Sequence, residues 1–240
     1  MTPSTPATSD HLPLLPSSSI LTNGSSLSNG KTNKYNQPET QHHHIWLITG
    51  PAGCGKSTVA QFIAKTMDLP YIEGDEVLTP LSQLNHDSTN SLQYHPTANI
   101  DKMAKGIPLS DADRWDWLTR LREESISKIQ AGAQGVVLTC SALKRKYRDV
   151  IRVAPYYSHD VLVHFVYLHA REEVLIARVQ ARQGQYMGAN MVHSQCSILE
   201  APGKEETDVI SVDVSGSIEE VEAEALAKIR EATRERYDIR

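Results

Sequence analysis

Several things are scarce in this 240-residue chain, and each scarcity excludes a class of protein. Cysteine is one: Cys54, Cys140 and Cys196 are odd in number and widely spaced, which fits neither a disulfide framework nor a zinc pattern and implies a reducing compartment. Positive charge is another. With 24 Lys and Arg against 29 Asp and Glu the net charge is -5, so a surface built to neutralise nucleic-acid phosphates is not expected. No apolar run approaches the ~20 residues that a membrane span needs. The N-terminus lacks a basic start followed by a continuous hydrophobic stretch, and its "LPLLP" is broken by proline, so no secretory signal is read there. A soluble, cytoplasmic protein acting on a small molecule is the expectation, without nucleic-acid or membrane partners; a homodimer is left open.

Large apolar side chains are also scarce in residues 1–42, where Ser, Thr, Pro and Asn dominate. Such a segment cannot bury enough surface to offset its ordering entropy and reads as a disordered tail. His42, His43 and His44 at its end read as solvated residues rather than metal ligands. Residues 43–240 read as one domain, with an inserted loop over 77–93 and a lid over about 183–194.

What is present from Ile45 onward is an alternation of two periodicities. "HIWLIT", "LPYIEGD", "GVVLTCS", "VLVHFVYLH" and "DVISVDV" are short apolar runs of the kind buried on both faces of a parallel sheet. Between them lie helical patterns over Lys56–Met67, Asp111–Gln130, about Lys144–Ala154, about Glu172–Arg182 and Ile218–Glu235. Ser110 and Asp113 form a capping box at the second of these. Strands alternating with helices imply an α/β fold with a parallel sheet and right-handed crossovers.

The first strand leads into "GPAGCGKST". Gly50, Gly55, Lys56 and Ser57 satisfy the G-x-x-x-x-G-K-[ST] pattern, placed between a strand and a helix as a phosphate-binding loop requires. Gly50, Pro51, Ala52, Gly53, Cys54, Gly55, Lys56, Ser57 and Thr58 are the candidate ATP-binding residues, since such a loop turns successive N–H groups and the helix N-terminus toward phosphate oxygens. Lys56 is placed to reach the β- and γ-phosphates, and Ser57 to hold Mg²⁺. The remaining question is where the phosphoryl group goes. A guanine-reading N-K-x-D is missing, and the third and fourth apolar runs end in Cys140–Ser141 and His169 rather than in an acid. The acid follows the second run, at Asp75, which suits a kinase whose carboxylate orients or deprotonates an acceptor hydroxyl.

Taken in order, "GPAGCGKST", "IEGDE", "HPTANIDKMAKGIPLSDADRWDWL", "CSALKRKYRD" and "SQCSILEAP" resemble the gluconate kinase family of P-loop small-molecule kinases, over about Ile45 to Ile229. That resemblance implies a P-loop kinase fold like that of nucleoside monophosphate and shikimate kinases: a five-stranded parallel sheet flanked by helices, with a mobile lid. It also implies ATP- and Mg²⁺-dependent phosphorylation of D-gluconate to 6-phosphogluconate. A sugar acid needs at least one cation for its carboxylate. Lys144, Arg148 and Arg152 share one helix face just beyond the third strand, and Lys144 and Arg148 are the candidates. By resemblance, His95 and Lys102 lie beside the substrate, while Arg178 and Arg182, which precede "QGQYMGAN", close over the transferring group as catalytic arginines. Trp115 and Trp117 read as packing residues, and Arg114 as either packing or binding. The chain departs from the family in the insert over 77–93, at Gln185, where many relatives have His, and at Gly188, where many have Pro. A kinase for another small acid or nucleotide, and an ATP-binding regulator without transfer, are the alternatives.

Overall fold

The computed structural model describes residues 42–74, 97–104, 109–156, 158–181 and 189–238. Within these, strands β1 (His43–Thr49), β2 (Tyr71–Glu73), β3 (Gly135–Thr139), β4 (Val161–His169) and β5 (Val209–Asp213) form one five-stranded sheet in the order β2-β3-β1-β4-β5. Every pairing is parallel, with Ile45 opposite Val136 on β3 and Val163 on β4. Central β1 has no water-facing side. Its alternating residues enter two layers, Ile45 and Leu47 on one face and Trp46 and Ile48 on the other. That is why its sequence is a continuous apolar run rather than an alternating one.

Helices α3 (Asp111–Gln130) and α4 (Arg145–Arg152) cover the first face, through Leu118, Leu121, Tyr147 and Ile151. Helices α1 (Lys56–Met67), α5 (Glu172–Ala181), α6 (Ala189–Ile198) and α7 (Ile218–Asp238) cover the second, through Val59, Ile63, Leu175, Val192 and Ile229. The remaining helix, α2 (Thr97–Ala104), touches α3, where Asn99 Nδ2 donates to the Asp113 carbonyl at 2.7 Å.

The ends of α3 follow from its sequence. Ser110 accepts from the Asp113 amide while the Asp113 carboxylate accepts from the Ser110 amide, so the expected capping box closes the N-terminus. After Ala131 the chain turns through Gly132, at φ 104°. Helices α2 and α6 lie outside the sequence reading; α6 buries a single residue, Val192, and so carries little periodic signal. It begins inside the stretch read as a lid over 183–194, of which 183–188 lie outside the described residues, as do most of the expected tail and the whole 77–93 insert. The histidines read as solvated are drawn into the fold. His43 and His44 belong to β1, where His44 Nδ1 lies 3.0 Å from His164 Nε2, and the His164 ring stacks on Trp46 at 4.2 Å between centroids. Among the described residues no group of three or more His, Cys, Asp or Glu could hold a metal ion, and no helix is long and apolar enough to cross a membrane.

Leu121 is fully buried against β3 and reaches within 3.0 Å of where a Cβ on Gly74 would sit, at the end of β2. Truncating it leaves a cavity between α3 and the acid-bearing strand. Leu121→Ala is therefore expected to cost roughly 2–5 kcal/mol, read from urea unfolding midpoints, with the unfolding slope unchanged.

Candidate active site

The phosphate loop begins where β1 passes between β3 and β4. Gly50 takes φ +142°, and a Cβ there would lie 2.3 Å from the Leu168 carbonyl oxygen on β4, so both the backbone angle and the neighbouring strand demand glycine. Gly53 and Gly55 also take positive φ, and Gly55 caps α1. Lys56 folds back over the loop, its Nζ donating to the carbonyls of Gly50 at 3.1 Å and Pro51 at 3.4 Å. The Ser57 and Thr58 side chains, at the start of α1, are exposed. Cys54 is buried, so its place in the loop is a packing one and its thiol does not face solvent.

Beside Ser57 lies a chain of polar contacts on the end of β2. The Tyr71 hydroxyl donates to one oxygen of the Glu73 carboxylate and the Thr139 hydroxyl donates to the other. Burial, and then the negative Glu73, push the Tyr71 phenol well above its usual range, while hydrogen bonds to Thr139 and Ser57 act in the opposite sense. Thr139 Oγ1 in turn accepts from the Gly74 amide at 3.1 Å, and the Trp117 indole donates to the Gly74 carbonyl at 2.9 Å. Gly74 is thus held at both its N–H and its C=O. Asp75, the next residue, lies outside the described residues. Trp117 is the packing residue expected; Trp115 instead stands half exposed. Glu73 was not singled out from the sequence. Its signal was the acid that closes the apolar run "LPYIE".

The candidates for the acceptor side divide. Lys144, in extended backbone ahead of α4, points its Nζ to 3.8 Å from Asp111 and lies over the Tyr147 ring. Asp111 accepts from Lys146 and from the Tyr147 hydroxyl, which together hold its carboxyl down at about 2. Burial, and then the bond to Asp111, push the Tyr147 phenol up to about 12. Arg114 completes this cationic cluster, over the Tyr147 ring at 5.6 Å. Lys102 on α2 binds both carboxylate oxygens of Asp113, at 2.7 and 2.8 Å. His95 lies outside the described residues.

Arg148 requires a correction. It is 1 % exposed, and its guanidinium is spent inside the protein. Nε and Nη2 form a bidentate pair with Glu206 at 2.8 and 2.6 Å, and Nη1 donates to the carbonyls of Glu200 and Ala142 at 3.1 and 3.4 Å. With its donors so occupied it has no opening toward a sugar acid, although its helical position, four residues after Lys144, is the expected one. Arg152 joins the network through Glu206 and Asp208. Arg178, on α5, donates to the Gly216 carbonyl at 3.1 Å. Together with Gly53, Gly55, Val214 and Ile218 it lines a cavity of about 350 Å³ beside the phosphate loop. Arg182 lies outside the described residues. One further contact escaped the sequence reading, although "SQCSILEAP" contains it: the Ala52 amide donates to Gln195 Oε1 on α6 at 2.7 Å.

A parallel sheet in this order, with a strand-loop-helix phosphate cradle and a carboxylate closing β2, one strand removed from β1, defines a P-loop kinase fold. Residues 45–196 match the family model described as "AAA domain". The Schizosaccharomyces pombe protein named "Probable gluconokinase" is 40% identical over 81% of this chain and 90% of its own length. The thermoresistant gluconokinase of Escherichia coli is 33% identical over 80% of this chain and 97% of its own. A gluconokinase structure from Sinorhizobium meliloti superposes with a TM-score of 0.62 at 35% identity, covering 82% of this chain and 97% of that one. The chain belongs to the gluconokinase family.

The network around Arg148 makes a pH-dependent contribution to stability. Hydrogen bonding from Arg148, opposed by burial and aided by Arg152, lowers the Glu206 carboxyl from 4.5 to about 2. A carboxyl with a depressed folded-state pKa stabilises above its unfolded value and loses that contribution as pH falls through the folded one. Stability is therefore expected to decline between about pH 4.5 and 2, in proportion to Glu206 protonation. Glu206→Gln leaves Arg148 buried without its counter-ion and is expected to cost roughly 3–5 kcal/mol at pH 7. Urea titrations of both proteins across that range, with the decline flattened in the variant, check both statements.

Proposed function

We propose that this protein is an ATP-dependent gluconokinase, transferring the γ-phosphoryl group of ATP to D-gluconate to give 6-phospho-D-gluconate. What carries the reading is the similarity to gluconokinases over nearly their whole length, joined to a phosphate-loop sequence whose glycines take positive φ and whose Lys56 lies over the loop. The loop amides and the N-terminus of α1 bind the phosphates, and Lys56, already turned over the loop, carries charge to the β- and γ-oxygens. The cavity between Gly53, Arg178 and Gly216 takes the nucleoside, so Arg178 is assigned to nucleotide binding and Arg182 to charge on the transferring group. The oxygen-only donor set formed by Ser57 and the neighbouring Glu73 suits a hard divalent cation. Ser57 and Glu73 would hold Mg²⁺ there, and the ion would supply positive charge against the charge that develops during transfer.

Transfer needs the acceptor hydroxyl in line with the leaving oxygen, with its proton taken as the bond to phosphorus forms. Asp75 is assigned that proton, a role supported by the fixed Gly74 backbone that precedes it. Lys144, with Lys102 and His95, is assigned to the sugar acid. Asp111 and Asp113 at the start of α3 hold these lysines in place, Lys144 at longer range than Lys102. A carboxylate arriving at this cluster exchanges one anionic partner for another, and the cost of gathering the cations is met before substrate binds. Arg148 is reassigned from substrate contact to holding the start of α4.

The test is ADP release by the purified protein with gluconate, shikimate, hexoses and nucleoside monophosphates. Gluconate alone is expected to raise the rate clearly above the acceptor-free background; equal rates with and without gluconate would refute the assignment. Asp75→Asn is expected to lower kcat by about 10²–10⁴-fold with ATP affinity retained, by single-turnover phosphoryl transfer and calorimetry.

A further inference from the structure

We infer that Gln195 is a positioning residue for Lys56, acting through the Pro51–Ala52 peptide; this rests on the reading of Lys56 as the phosphate-binding lysine. That peptide unit is gripped at both ends. Its N–H donates to Gln195 Oε1 at 2.7 Å, and its carbonyl accepts from Lys56 Nζ at 3.4 Å, alongside the Gly50 carbonyl at 3.1 Å. The two ends of one peptide point in opposite directions, because the unit is planar and trans. Fixing the N–H toward α6 therefore fixes the carbonyl toward Lys56. Without Gln195, only the Cys54 amide, which donates to the same Pro51 carbonyl at a long 3.4 Å, opposes a rotation about Pro51 ψ and Ala52 φ that carries the lysine's acceptor away.

Gln195 can impose this orientation because α6 is itself held at a distance from the loop. Val192, one turn earlier, is fully buried in the layer shared with α1 and β4. Just past the helix, the Glu200 amide donates to the Leu143 carbonyl at 2.9 Å and its carboxylate accepts from the Arg145 amide at 2.8 Å. The Glu200 carbonyl accepts from buried Arg148 at 3.1 Å. Leu143 and Arg145 flank Lys144. Helix α6 is thus a strut with one end on the backbone that presents the sugar-acid lysine and Gln195 on the loop that presents the phosphate lysine. The buried Arg148–Glu206 pair, which has no opening to substrate, braces the first end.

The experiment uses the full chain with Gln195→Met, which keeps the length of the side chain and removes the acceptor, together with Lys56→Met and the double variant. Gln195→Met is expected to lower kcat about five- to tenfold and to weaken MgATP binding, measured by calorimetry, by a similar factor. The KM for gluconate and the thermal midpoint should stay at parental values. In the Lys56→Met background the same substitution should weaken MgATP binding no further, because the group it positions is gone. Gln195→Leu must reproduce the pattern, which guards against a folding defect peculiar to one replacement. Parental kcat and MgATP affinity in Gln195→Met would overturn the inference, as would losses that simply add to those of Lys56→Met, which would make Gln195 a scaffold residue independent of the lysine. The calorimetric arm requires no acceptor, so it stands apart from any failure of the gluconate assignment.

Discussion

Burial of β1 on both faces is the constraint from which the active site follows. Its neighbours β3 and β4 leave it no exposed edge, and α1 and α3 leave it no exposed face, so the chain emerging at Thr49 has one direction available. Gly50 turns directly beneath the carbonyl of Leu168. The same parallel arrangement brings the ends of β2 and β3 to that rim, so a phosphate cradle and a carboxylate-bearing strand share one edge of the sheet without any long connection between them. Catalytic placement here is a by-product of strand order, with the side chains adding detail.

The polar interior serves the same end by different means. Arg148 and Glu206 form a buried pair, which by itself is weak evidence of stability, since desolvation offsets much of the attraction. Its value lies in direction: a bidentate guanidinium can satisfy Glu206 and two backbone carbonyls only in one orientation of α4 relative to the segment after α6. Apolar packing of the same volume would tolerate sliding. The pair lies where sliding would shift the backbone on either side of Lys144.

The fold was largely readable in the sequence because its main signals are local. The apolar runs of β1, β3 and β4 announce two-sided burial, and the Ser110–Asp113 box marks where α3 starts. The phosphate loop was readable for the same reason, as eight consecutive positions with a single stereochemical purpose. Arg148 shows where such reading stops. Lys144 stands in extended backbone just ahead of α4 and Arg148 inside it, so the expected shared helix face does not form; the Arg148 partners Glu200 and Glu206 lie 52 and 58 residues further along the chain, and nothing local says that this side chain turns inward. Gln195 was opaque for a like reason: its partner is a backbone amide 143 residues away, and backbone amides have no identity in a sequence. Helix α6, with one buried side chain, has too little periodicity to be seen. Glu73 was legible in principle, yet Asp75 beside it drew the chemical argument.

Strand β2 is only three residues long and lies at the edge of the sheet, paired to β3 alone. Its attachment depends heavily on the side-chain bonds of Thr139 and Trp117 to Gly74. The cradle, by contrast, grows from the most enclosed strand in the molecule. The cradle and the strand that faces it across β3 are therefore moored with unequal strength, and on gentle warming or in dilute denaturant β2 is expected to come adrift while the cradle still stands.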